Sequence, residues 1–175
     1  MNLIALAFNP FELIKDSKYY LLKSFAIFIA VMAICVKLAY FLEANGDIED
    51  FKQRIDPQYL LSIFIFILVA MIVWAGIIYL IGGKDYSKSL SVIFLSAAIA
   101  SIYRPIYAVV YGISGINALT YVLLVLFFLH FSICFINGIS AAQKFGKIKV
   151  GLSLILGVFS FYCVSYLWSN VLHFV

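Results

Sequence analysis

Charge is scarce in this chain. Only 11% of its 175 residues are Asp, Glu, Lys or Arg, while 66% are hydrophobic and 18% aromatic. An ordinary soluble domain carries about 25% charged residues. The mean hydropathy is +1.12. A soluble chain of this length would bury only about 70% of the surface that its unfolded form exposes and would need polar residues over the rest. A water-soluble globule is therefore excluded, and lipid must be part of the solvent. Cysteine is scarce too: Cys35, Cys134 and Cys163 are odd in number, lie inside apolar stretches and lack metal-ligand spacing. That excludes a disulfide framework and a zinc site, and leaves three small apolar core residues. The segment Met1 to Asn9 has no charge, and its apolar run stops at Asn9-Pro10. A cleaved leader needs a basic region before its apolar run, so none is expected.

Catalytic signatures are also missing. There is no His-Glu-x-x-His and no Gly-x-Ser-x-Gly, and no acid falls inside any long apolar run. The last absence argues against an intramembrane aspartyl protease and weakens any proton-coupled transporter built on a buried carboxylate. Gly82-Gly83-Lys84 lacks the preceding glycine and following Ser/Thr of a phosphate-cradling loop, and it follows an apolar run of membrane length. No nucleotide, cofactor or metal is expected. The net charge of +4, from twelve basic and eight acidic residues, reports on cytoplasmic loops rather than on the basic face that a nucleic-acid binder needs, so nucleic acid is not an expected partner either.

What the chain has is long apolar runs. A helix needs about 20 apolar residues to cross the hydrocarbon core, and five runs qualify: about 24–42, 59–81, 89–112, 118–142 and 150–172. Ile63-Phe64-Ile65-Phe66-Ile67-Leu68-Val69 does not alternate apolar with polar, which a membrane barrel strand would do. The expected fold is all-α, a polytopic bundle of five transmembrane helices forming a single domain over 1–175. Asn9-Pro10-Phe11-Glu12 has the residues of a helix start, with Asn9 as cap, Pro10 at the first position and Glu12 at the third. Phe11, Ile14 and Leu21 oppose Glu12, Lys15, Asp16 and Lys18, so 10–22 reads as a short interfacial helix. The alternative is that span one begins early.

The placement of the charges orients the bundle. Lys15, Lys18, Lys23, Lys84, Lys88, Lys144, Lys147 and Lys149 all fall on one side when five spans alternate. The other side has Lys52 and Arg54 against five acids, Glu43, Asp47, Glu49, Asp50 and Asp56, in the 43–58 loop. The positive-inside rule then predicts a cytoplasmic N-terminus and an exoplasmic C-terminus. A short helix from Asp47 to before Pro57 is expected in the acidic loop. Gly82-Gly83 reads as a helix stop, with Lys84 complementing the negative end of the helix dipole. Lys144, Lys147 and Lys149 form a basic cytoplasmic turn, equally a topology signal and a contact for anionic lipid.

Two charges lie inside spans. Lys37 is close enough to the outer end of span one to reach the headgroups and reads as an anchor. Arg104 is deeper, about 12 Å below the outer end of span three, and Pro105 follows it at once. The proline removes a backbone hydrogen bond and frees the Ser101 carbonyl, so a kink is expected there. Arg104, Tyr107 and Tyr111 share a helix face, and His130 and Asn137 share another on span four. Together they form a candidate intramembrane polar cluster. One reading is a polar pocket; the other is internal glue, with Arg104 bonded to tyrosine hydroxyls and freed carbonyls and His130 hydrogen-bonded between helices. Ser96, Ala97, Ala98, Ala100 and Ser101 on span three, and Ser153 with Gly157 on span five, permit close helix approach and mark the packed centre.

Two stretches, WAGIIYLIGGKDYSKSLSVIFLSAAIASIYRPIYAVVYG from Trp74 to Gly112 and ISAAQKFGKIKVGLSLILG from Ile139 to Gly157, resemble the Yip-domain family of five-span membrane proteins. The shared pattern is a span ending in Gly-Gly-Lys, a polar turn with Ser, a small-residue-rich span interrupted by proline, and a late span entered from a lysine-bearing turn. Asn9-Pro10-Phe11 also resembles prokaryotic members. The resemblance implies no catalytic residues. Eukaryotic relatives, associated with Rab-type GTPases and traffic between endoplasmic reticulum and Golgi, have a longer cytosolic N-terminal region than the roughly 23 residues here. The expectation is a non-enzymatic scaffold of a bacterial inner membrane, in contact with the bilayer and with other membrane proteins or further copies of itself. The competing expectation is a small transporter or channel built around Arg104. A water-accessible cavity at Arg104 would favour the second, and an arginine sealed by tyrosines and backbone the first.

Overall fold

The computed structural model describes residues 8–13, 15–44, 57–114 and 118–170. Six α-helices account for most of them: α1 Tyr20–Glu43, α2 Pro57–Leu80, α3 Tyr86–Ser101, α4 Tyr103–Ser114, α5 Ala118–Gln143 and α6 Lys147–Asn170. No strand occurs among the described residues. With α3 and α4 as two parts of the third span, five helices are long and apolar enough to cross a membrane. The protein is an all-α polytopic bundle. The expected spans match to within four residues at each described end. The acidic loop and its expected short helix lie outside the described residues apart from the ends, Glu43, Ala44, Pro57 and Gln58.

The third span is the centre of the bundle. Every residue from Ser89 to Ser96 is buried, and α3 packs on α1, α2 and α5. Its small residues let neighbours approach closely: Ser96, Ala98 and Ala100 are buried. Phe94 of α3 stacks on Phe28 of α1 at 5.4 Å between ring centroids. Gly138 of α5 abuts Val92, whose Cγ1 would lie 2.6 Å from a β-carbon added at the glycine. On the far side α2 pairs chiefly with α6, where Gly157 lies beneath the Trp74 indole.

The break between α3 and α4 falls at Ile102, three residues before Pro105. Pro105 has no N–H for the Ser101 carbonyl. The Ser101 hydroxyl meanwhile donates to the Ala97 carbonyl at 2.9 Å, a bond that bends helices, and the Ile102 N–H turns to the Ile99 carbonyl at 3.2 Å in a tighter 3₁₀ arrangement. The expected kink is present. Beyond it α4 leans onto α1, with lesser contact to α5.

The turn between α2 and α3 is built as its sequence predicts. Gly82 has φ +108°, the Gly83 N–H donates to the Ile78 carbonyl at 3.0 Å and the Gly82 N–H to the Tyr79 carbonyl at 3.1 Å. This is a Schellman stop. Asp85 then caps α3, its carboxylate accepting from the Lys88 N–H at 3.1 Å. Gln143, buried at the end of α5, closes the turn from below. Its carbonyl oxygen accepts from the N–H groups of Lys84 (2.8 Å) and Asp85 (3.3 Å), and its amide donates to the Ser89 hydroxyl (2.8 Å) and the Asp85 carbonyl. All four hydrogen-bonding positions of one side chain are filled. Tyr20 of α1 adds its hydroxyl to the Asp85 carboxylate at 3.2 Å. This end, which also has Lys84, Lys88, Lys144, Lys147 and Lys149, is called the basic end below.

The N-terminal segment departs from expectation. A continuous helix over 10–22 is not formed: Pro10–Leu13 makes one 3₁₀ turn, turns follow, and α1 starts at Tyr20. Asn9 does not cap with its side chain. Its backbone carbonyl accepts from the Glu12 N–H at 3.2 Å, and its Oδ1 is buried without a partner. The segment runs inward instead of lying flat, because Phe11 is drawn into the core and Phe8 lies against α5. Asn137 donates to the Phe8 carbonyl at 2.9 Å, and the Phe8 ring sits 5.4 Å from the His130 ring. At 1.5 Å per residue Asn137 lies about 9 Å and His130 about 20 Å from the basic end of α5. Phe8 therefore reaches the depth of the hydrocarbon.

Candidate functional site

The five expected cluster residues divide into two groups. On α4, Arg104, Tyr107 and Tyr111 share one face, and the two tyrosine rings stack at 6.0 Å with an interplanar angle of 11°. On α5, His130 and Asn137 share another face, but both are engaged by the N-terminal segment, and His130 Nδ1 also meets the Tyr103 hydroxyl at 2.9 Å. His130 is thus hydrogen-bonded between helices. Tyr103, immediately before Arg104, connects the two groups.

Arg104 has a partner that the sequence reading placed elsewhere. Its Nη2 lies 3.2 Å from Oε1 of Glu43, and its guanidinium stands over the Tyr40 ring at 5.8 Å. Glu43 is the last residue of α1 rather than part of the loop, which puts one acid within a membrane-length helix. The expectation that Arg104 bonds tyrosine hydroxyls and freed carbonyls gives way to a carboxylate and an aromatic face. The physical reason is the break at Ile102: it lets α4 lean on α1 and brings the two helices' outer ends together. The Arg104 side chain is 48% exposed and that of Glu43 20%. Ion pairs this open contribute about 1 kcal/mol or less.

The lean of α4 leaves space behind it. A half-open cavity of about 850 Å³ lies between the helices, lined by residues of all six, with Ile93, Ala97, Ala100 and Ser101 contributed by α3. Its floor is Trp74, Met71 and Phe131, and its walls include Phe127, Phe161 and Ile67. At the other end are Arg104, Tyr107, Tyr162 and Ser165. Counting helical rise from the basic end, Trp74 is about 9 Å up α2, and Ser165 about 27 Å up α6. The cavity therefore runs through the middle of the bundle, from about a quarter to about three-quarters of the way up helices about 36 Å long. Among the described residues that line it, Arg104 is the single charged side chain. Ligand cavities commonly hold about 300–1,000 Å³ and pair apolar walls with a few placed polar groups.

The floor is held firmly. The Trp74 Nε1–H donates to the Ser153 carbonyl at 3.0 Å, and its ring packs on Phe135 with centroids 4.7 Å apart. At the basic end, Lys144, Lys147 and Lys149 are exposed and stand away from the cavity. Lys144 takes a left-handed conformation with φ 55°, ending α5. The Lys149 ammonium sits 5.5 Å over the Phe145 ring and beside Gly82. Cys35, Cys134 and Cys163 are free thiols. Among the described residues no group of His, Cys, Asp and Glu is placed to hold a metal.

Glu43, Tyr103, Trp74 and Gln143 are the participants that sequence reasoning missed. Glu43 had a weak signal, since one more residue of helix after Leu42 suffices to include it. Tyr103 and Trp74 had none, because a partner 27 or 79 residues away leaves no periodic trace. Comparison with known protein families, with curated proteins and with solved structures found no match to this chain.

Proposed function

We propose that this chain is a non-enzymatic, carrier-type integral membrane protein that holds a hydrophobic membrane constituent in the cavity between its helices. The observation that carries the proposal is the cavity itself: about 850 Å³, apolar over most of its wall, with Arg104 at one end. That geometry moves the balance from a scaffold towards a binding protein, because a scaffold gains nothing from unfilled space. An occupant of matching chemistry restores the van der Waals contacts that the apolar wall lacks, and so stabilises the fold. The wall has too few polar groups for a water-filled ion path. The scaffold reading keeps one support, the pairing of Arg104 with Glu43.

The proposal includes a location and an ancestry. Eight lysines on one side favour a cytoplasmic N-terminus under the positive-inside rule. The Trp74–Gly112 and Ile139–Gly157 patterns favour a Yip-domain protein of prokaryotic type in a bacterial inner membrane.

A tryptophan quenching experiment tests the cavity. The chain has two tryptophans, Trp74 on the cavity floor and Trp168. In a Trp168→Phe variant held in maltoside micelles, dibrominated octadecanol is expected to quench Trp74 saturably, and non-brominated octadecanol to reverse it. Quenching that only tracks the bulk bromine content of the micelle would refute the binding reading.

A further inference from the structure

Within the binding reading, we infer that the occupant is a single-chain anionic lipid, and that Glu43 is a built-in stand-in for its headgroup. The cavity has a direction. Its apolar floor at Trp74 lies deep, and its polar groups, Arg104, Tyr107, Tyr162 and Ser165, gather at the outer end. That is the polarity of a lipid in a leaflet, with the headgroup out and the chain in. Among the described residues that line the cavity, the one charged side chain is positive, so the complementary headgroup is an anion.

Volume limits the number of chains. A methylene is close in size to a water molecule, whose share of the liquid is about 30 Å³. A chain of sixteen to eighteen carbons then takes about 500 Å³, which leaves room for a headgroup in about 850 Å³. A second chain would bring the total to about 1,000 Å³ before any headgroup is placed, so the space matches one chain more closely than two.

The Glu43 carboxylate already pairs with the cation that the headgroup would need. It reaches one guanidinium nitrogen at 3.2 Å, whereas a bidentate pair would engage two. Glu43 does not line the cavity, while Arg104 does. The guanidinium, 48% exposed on its side chain, has further N–H groups for an incoming carboxylate or phosphate. An anion entering from the cavity competes with Glu43 for the same cation, and removal of the competitor strengthens binding.

The test compares dibromostearate with dibrominated octadecanol as quenchers of Trp74, in the Trp168→Phe background and uncharged micelles at pH 8. Wild-type residues at 43 and 104 should favour the anion by about 5-fold, as expected for one partly exposed charged hydrogen bond. Glu43→Gln should widen that preference by a further factor of about 3–10, and Arg104→Gln should reduce it to within about 2-fold. The two substitutions break the same ion pair yet must act in opposite directions on anion preference. A purely structural pair would give losses of the same sign in both, with no change in preference. Equal quenching by the two probes with no gain in Glu43→Gln overturns the inference and leaves the binding reading standing; absence of saturable quenching by either probe overturns both. Should Arg104→Gln fail to fold, the Glu43→Gln comparison decides alone.

Discussion

Replacing Gly157 by alanine should destabilise the bundle, and removal of Trp74 should reverse the sign of that effect. A β-carbon at position 157 would fall against both Cε2 and Nε1 of Trp74, far inside van der Waals contact. The indole cannot simply rotate away. Its Nε1–H is bonded to the Ser153 carbonyl on the same helix, and its other face rests on Phe135. Accommodation requires either that α6 slide away from α2 or that the indole lose its hydrogen bond. Overpacking of a closed site costs about 1–3 kcal/mol, and a buried donor left unpaired about 1–3 kcal/mol. Since one movement relieves part of the other, about 2–4 kcal/mol is expected. In a Trp74→Ala background the obstacle is gone. There Gly157→Ala should be neutral or stabilising by up to about 1 kcal/mol, because alanine is the better helix residue. Reversible unfolding in mixed micelles of maltoside and dodecyl sulfate, run as a double-mutant cycle, gives the coupling directly. Equal effects of Gly157→Ala in both backgrounds would refute the close approach of α2 and α6 at this point.

Three further outcomes are expected. Gln143→Leu removes all four hydrogen bonds of the amide that joins α5 to the α2–α3 turn; it should lower unfolding stability by about 2–4 kcal/mol, and an effect under about 0.5 kcal/mol would contradict the network. Lys144→Gly should raise stability by about 0.5–1 kcal/mol in the same assay, since Lys144 holds a φ of 55° that glycine adopts freely; a loss would mean that its side chain contributes more than its backbone costs. Finally, single cysteines at Lys84, Lys147 and Leu119, placed in a chain whose Cys35, Cys134 and Cys163 are replaced by alanine, should react with a membrane-impermeant maleimide in two classes. Positions 84 and 147 should label from the cytoplasmic side and 119 from the other; labelling of all three from one side breaks the alternation.

The parts of this fold that could be read in the sequence are those governed by local chemistry. A run of apolar residues long enough to span lipid has one low-energy form, because every backbone N–H must be satisfied within its own segment. Span existence and approximate ends followed from that alone. The Gly82-Gly83 stop and the break before Pro105 were legible for the same reason: each rests on what one residue's backbone can or cannot do. The N-terminal segment failed that logic. The alternation of Phe11, Ile14 and Leu21 with charged residues fits an interfacial helix, but Phe11 and Phe8 gain more from the groove along α5 than from the headgroup layer, and the groove exists only once α3 and α5 have packed.

The site was half legible, and the half that was hidden decides its chemistry. A lone arginine beside a proline was visible as an anomaly, and its depth followed from helical rise. Its partner was not, because the pairing depends on the direction in which α4 leans after the break, and Pro105 fixes only that a break occurs. A guanidinium buried among these helices without an acid partner would be costly. The lean onto α1 therefore does two things at once. It gives Arg104 the Glu43 carboxylate, and it withdraws α4 from α2 and α6 so that the cavity opens. The ion pair and the cavity are two consequences of one helix break, which is why a substitution that weakens the pair is expected to change what the cavity binds.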